Sequence, residues 1–158
     1  FYNRVMDFAL EFHVGKHGVA YNGISVFATS STGAYTGNYV SDEPCLKRRI
    51  PEALQGHLSD GCKNLQRHLQ NVYSQGYSGP LGVDMMVVEY QGEKYIHPCV
   101  EVNLRQTMGN VCVSLRSQLR RGAAIYRLRP VGETTESTLV LTPYAKRIEA
   151  VLQTEEAE

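Results

Sequence analysis

The stretch "GVDMMVVEYQGEKYIHPCVEVNLRQTMG", residues 82–109, decides how the chain is read. Side chains alternate across a strand, so Val100, Val102 and Leu104 form one apolar face and Glu101, Asn103 and Arg105 share the other. A carboxylate, an amide and a guanidinium in a row resemble a site more than a solvated edge. Upstream, Asp84 lies inside the apolar run 81–88, where a lone buried carboxylate is costly unless it is paired or binds a cation. "QGEK" (91–94) turns the chain, so 81–90 and 95–105 read as a hairpin. A loop of two or four residues puts Asp84 on the face of Cys99, Glu101 and Asn103. With four, pairing Tyr90 with Tyr95, Asp84 stands directly opposite Glu101. A loop of three would put it on the wrong face.

Directly opposed Cβ atoms are about 5 Å apart, and two carboxylates that close need a proton or a cation between them. With Asn103 adding a neutral oxygen, the set suits Mg²⁺, which takes hard oxygen ligands and leaves room for phosphates. Each residue also has a plainer reading. Asp84 can bond turn amides, and Glu101 with Arg105 can form a surface ion pair. Pro98 in the second strand points to an edge or a bulge.

Working outward, "VMDFALEFHV" (5–14) alternates as a half-buried strand, with Met6, Phe8, Leu10, Phe12 and Val14 inward and Asp7, Glu11 and His13 opposite. "GKHG" turns it into 19–29, and 34–40 is a third strand or an ordered loop, which makes an antiparallel meander. Residues 41–51 read as a connector with the basic run Lys47, Arg48 and Arg49. A helix over 52–75 follows, its face set by Leu54, Leu58, Cys62, Leu65, Leu69 and Val72. Thr107 is the N-cap expected of a second helix over 108–121, with arginines toward its C-terminal end and Gly122 as its stop. Late strands are expected at 123–129 and 137–143, then a short helix and an acidic tail over 144–158. The fold class is therefore α+β, an antiparallel sheet with helices packed on one face.

Composition bounds the function. The 158 residues suffice for a real core. Lys plus Arg and Asp plus Glu both number 16, which argues against a nucleic-acid partner. No apolar run approaches the ~18 residues of a membrane-spanning helix, so no membrane partner is expected. Cys45, Cys62, Cys99 and Cys112 lack zinc or C-x-x-C spacing and read as reduced, mostly buried thiols of a cytoplasmic protein.

The helix, the Gly-rich turn "GYSGP", the strand with Asp84, the hairpin and then Glu101-x-Asn103-x-Arg105 together resemble the metal-binding end of ATP-grasp enzymes, and the arginine resembles their carboxylase-like branch. Residues 7–29 are similar to the strand-turn-strand that follows the family's adenine-contacting hinge. The resemblance covers roughly residues 4–121. It implies that residues 1–143 are the C-terminal part of an ATP-grasp domain within a longer chain, the nucleotide lysines and Gly-rich loop lying N-terminal to it. It implies ATP and Mg²⁺ as cofactors, with Asp84, Glu101 and Asn103 as metal ligands and Glu101 bridging two ions. Arg105 would act catalytically on the acceptor or the transferring phosphoryl group. Glu11, Lys47 and Arg49 are the nucleotide-facing candidates. The reaction implied activates a small carboxylate as an acylphosphate and joins it to an amine or other nucleophile. A kinase acting on a hydroxyl and a non-catalytic binding domain of the same fold are the alternatives. The missing N-terminal part of the chain is an implied partner, and a homo-oligomer is allowed. A hydrolase using Asp84 and Glu101 as a carboxylate pair is the rival outside the family, and it would need neither Asn103, Arg105 nor ATP.

Overall fold

The computed structural model describes residues 2–73, 76–118, 124–130, 138–139 and 148–154. The order is β1 (Asn3–Gly15), β2 (Gly18–Thr29), β3 (Tyr35–Val40), α1 (Glu43–Arg48), α2 (Glu52–Tyr73), β4 (Gly79–Tyr90), β5 (Glu93–Asn103) and α3 (Met108–Leu115). A 3-10 turn (Arg116–Gln118), β6 (Ala124–Pro130), β7 (Thr138–Leu139) and β8 (Ile148–Thr154) follow. The strands form one sheet in the order β5-β4-β1-β2-β3-β6-β8-β7, with every neighbouring pair antiparallel. The fold is α+β.

The even-numbered side chains of β1 make the main core. Phe8, Leu10, Phe12 and Val14 pack with Ile24 and Val26 of β2 and with Leu81, Val83, Met85 and Val87 of β4. Leu46 of α1, Ile50, and Leu54, Leu58 and Leu69 of α2 close this face. Each such side chain removed from water contributes about 1.5–3 kcal/mol. The amides of α2 finish the seam where β2 begins. Val19 N–H donates to Gln70 Oε1 at 2.7 Å, and Gln66 Nε2 donates to the Val19 carbonyl at 2.7 Å. Val72 departs from the expected stripe and is 68% exposed.

β1 is not half-buried. It lies between β2 and β4, and Ala9 and Glu11 are as buried as the phenylalanines beside them. The second face is covered by α3, whose first turn hydrogen-bonds Glu11, so α1 and α2 lie on one side of the sheet and α3 on the other. A smaller cluster of Val40, Cys112 and Tyr126, with Met108 and Leu115 against it, fastens α3 over β3 and β6.

Three local expectations are corrected. The 41–51 connector contains α1, started by Asp42, whose side chain accepts from Cys45 N–H at 2.7 Å, with Pro44 in the first turn. α3 ends as a helix at Leu115 and tightens into the 3-10 turn. Arg116 caps α3, as expected, and its side chain bonds the Ile24 carbonyl and lies 3.6 Å from Glu43. Part of the expected C-terminal helix is strand β8. Its residues "IEAVLQT" suit either state, and pairing with β6 from Ala124↔Thr154 to Pro130↔Ile148 decides it. The expectations for 119–123, 131–137, 140–147 and 155–158 lie outside the described residues.

Candidate metal and phosphate site

The hairpin reaches the expected pairing by another route. Tyr90 pairs with Glu93, not Tyr95, so the loop is the two residues Gln91 and Gly92. Both have positive φ, 54° and 81°, the type I′ geometry that matches strand twist. On that register alone Asp84 would face Cys99. Between Met86↔His97 and Asp84↔Glu101 the register shifts, because β5 carries extra residues at Pro98, where the missing N–H breaks the ladder. β5 is the edge strand, which tolerates this. Asp84 therefore stands opposite Glu101, and Gly82 opposite Asn103.

Asp84, Glu101, Asn103 and Arg105 all line one cleft of about 390 Å³. Ala9 and Ser25 continue the row of Asp84 across β1 and β2, and Phe27, Tyr35 and Asn38 line the far side. Asn103 is buried, and its Nδ2 donates to Asp84 Oδ2 at 3.1 Å. Glu101 and Arg105 are exposed. Burial raises the Asp84 pKa above the ordinary aspartate range, and the Glu101 charge raises it further; the Asn103 hydrogen bond and the Arg105 charge oppose. The pair is thus short of positive charge. Among the described residues no three His, Cys, Asp or Glu side chains converge on a metal position. The donor set is two carboxylates and an amide, all hard oxygen, which fits a Mg²⁺ completed by water and phosphate oxygens. It does not fit a fully protein-caged ion.

The nucleotide-facing candidates separate. Glu11 borders the cleft but is 1% exposed, with both oxygens engaged inward. Oε1 accepts from Ser25 Oγ at 3.0 Å, and Oε2 accepts from Thr107 Oγ1 at 2.8 Å and Asn110 Nδ2 at 2.7 Å. It is a hydrogen-bonded hub at the edge of the cleft. Burial is the main cause that lifts its pKa to about 7. Lys47 pairs with Glu43 at 2.7 Å and does not line the cleft. Arg49 does not line it either. Its guanidinium stacks 3.8 Å from the Tyr39 ring centroid, beside a neighbouring cavity of about 690 Å³ that shares Phe27 and Thr29 with the cleft.

Sequence reading missed Ser25, Asn38, Tyr35 and Asn110. Only Asn110 had a local signal, as the third residue after the Thr107 cap, whose Oγ1 accepts the Asn110 N–H at 2.9 Å. The apolar face expected of the second hairpin strand is also other than expected. Val100 and Val102 of β5 and Leu104 just beyond it are 48%, 37% and 44% exposed. The four cysteines are free thiols, but only Cys112 is buried and Cys99 is exposed. Among the described residues no helix is long and apolar enough to cross a membrane.

No family model matches the sequence, and no curated protein matches it. Among solved structures the chain is similar to one described as "a putative ATP-grasp superfamily protein" from Archaeoglobus fulgidus. The TM-score is 0.54 at 14% identity, over 98% of this chain and 47% of that one. The chain spans about half the length of that structure. What the likeness establishes is the fold alone, one arrangement of sheet and helices shared by the two chains.

Proposed function

We propose that the cleft is the magnesium- and phosphate-facing side of an ATP-grasp domain in an ATP-dependent ligase of the carboxylase-like branch. The observation that carries this reading is the in-register Asp84–Glu101 pair with Asn103 bonded to Asp84 on one cleft wall. Asp84, Glu101 and Asn103 would hold Mg²⁺, which when bound would supply the positive charge that phosphoryl transfer needs. Arg105, an exposed guanidinium on the same cleft, binds the acceptor carboxylate or the phosphoryl group in transit, since its planar fork matches both. Arg49, which lines the adjoining cavity over the Tyr39 ring, is placed to meet the nucleotide in this reading; Lys47 and Glu11 are not assigned that role.

The reaction transfers the γ-phosphoryl group of ATP to a small carboxylate. An amine or other nucleophile then displaces phosphate from the acylphosphate. The remainder of the same chain would supply the other side of the nucleotide, and the co-substrate is the ATP of the cytoplasm. The test is ADP release by the complete protein with Mg²⁺, ATP and a panel of carboxylates, with hydroxylamine present as a trap. A hydroxamate accompanying ADP supports a ligase. ADP with a phosphorylated alcohol and no hydroxamate indicates a kinase. Absence of any Mg²⁺-dependent nucleotide binding contradicts the reading altogether.

A further inference from the structure

We infer that Glu11 is a positioning residue that sets Arg105 at the cleft by clamping the first turn of α3 to β1. The inference rests on the function proposed above. β5 ends at Asn103 and α3 starts at Met108, so residues 104–107 alone join them, and they carry Arg105. The front of this link is held by Gly82↔Asn103 pairing and by the Asn103–Asp84 hydrogen bond. Its rear is held by Glu11. Thr107 Oγ1 donates to Glu11 Oε2 while accepting the Asn110 N–H that starts α3, and Asn110 Nδ2 donates to the same carboxylate oxygen. Ser25 on β2 fixes the other oxygen.

The fit leaves no slack. A Cβ on Gly109 would collide with Glu11 Oε1 and Ser25 Oγ, and one on Gly82 would lie 2.9 Å from Glu11 Oε2 and 2.8 Å from Thr107 Cγ2. The hydrogen-bond donors to Glu11 are all neutral. Burying a carboxylate with neutral donors is costly, and an apolar residue would serve packing alone better. What a carboxylate adds is acceptor capacity for groups on two elements at once, 14 residues away at Ser25 and 96 and 99 away at Thr107 and Asn110. A displacement of about 1 Å in a positioning group is enough for ~10²-fold in rate.

The experiment uses the complete protein with Glu11→Ala, Glu11→Gln, Arg105→Ala and the Glu11→Ala/Arg105→Ala double variant. Gln keeps an acceptor for Thr107 and Asn110, and the Ser25 hydroxyl can turn to accept from its amide. Glu11→Gln is therefore expected to stay within about threefold of wild-type turnover, and Glu11→Ala to lose about tenfold or more in kcat with little change in KM for ATP. In the Arg105→Ala background, Glu11→Ala should cost less than about twofold, because the group it positions is gone. Amide hydrogen exchange at Asn110 and Val111 should accelerate in Glu11→Ala and not in Glu11→Gln. Additive losses, or a Glu11→Gln variant as impaired as Glu11→Ala, overturn the inference. So does unchanged exchange at Asn110 and Val111 in Glu11→Ala. Thr107→Val takes the place of Glu11→Ala in every arm where that variant does not fold. Full turnover in Arg105→Ala counts against the proposed role of Arg105, and the exchange measurement then decides the clamp independently.

Discussion

The two faces of β1 and β4 solve burial in opposite ways. On the α2 side, Phe8, Leu10, Phe12, Val83 and Met85 are buried among other apolar side chains, and stability follows from area removed from water. On the α3 side, one residue along, Ala9, Glu11 and Asp84 sit in or beside a polar cleft. Each buried oxygen there is stabilised only by a specific donor. The first face tolerates any apolar residue of about the right size. The second tolerates few changes, because a lost donor leaves a carboxylate unmet. The contrast explains how one strand can both hold the fold and shape a site.

The largest break is on the apolar face. Phe12→Ala should cost roughly 3–5 kcal/mol in chemical denaturation, the range for emptying a fully buried aromatic position. A cost under about 1 kcal/mol would mean that α2 does not close this face as described.

On the polar face the sharper probe is pH. Below about pH 4.5 Glu11 is protonated in both folded and unfolded chains. Above that the unfolded chain releases its proton while the folded chain keeps it until about pH 7, so stability falls as pH rises through this window. The loss attributable to Glu11 is on the order of 3 kcal/mol. Asp84, also raised, acts in the same direction. Denaturation curves from pH 4.5 to 7.5 should slope downward for wild type and be much flatter for Glu11→Gln. Parallel curves would show that Glu11 does not carry the proton.

A smaller effect should come from Gly109→Ala. Its methyl group meets the Glu11 carboxyl and Ser25 Oγ, so overpacking of about 1–3 kcal/mol is expected in thermal melts. Pairing it with Glu11→Ala, which makes room, should recover part of the loss; no recovery would separate the two sites.

The legibility of the two faces differs for the same reason. The apolar face is written locally, in the alternation of β1 and in the leucines of α2 at helical spacing. The Asp84–Glu101 pairing was legible in outcome but not in route. A four-residue turn and a two-residue turn with a bulge at Pro98 give the same register, and sequence alone does not choose between them. α1 carries a local signal in Asp42-Glu43-Pro44, a cap with acidic and proline residues in the first turn, but at six residues it is too short to show a helical period. The Glu11 hub has no local signature, because two of its three partners are 96 and 99 residues distant. β8 is decided by its neighbour β6 and not by its own propensity.

The role proposed for the polar face is to hold Mg²⁺ for phosphoryl transfer through Asp84, Glu101 and Asn103. Glu101→Gln tests it most directly, since the side chain is exposed, keeps its shape and loses one charge from the cation position. ATP turnover and the melting temperature should be measured together in the complete protein. Turnover is expected to fall by about 10²-fold or more, as for other electrostatic groups at a reacting centre, with the melting temperature unchanged or slightly raised by relief of the repulsion with Asp84. Near-normal turnover with a large fall in melting temperature would contradict it and make Glu101 a structural residue of the edge strand.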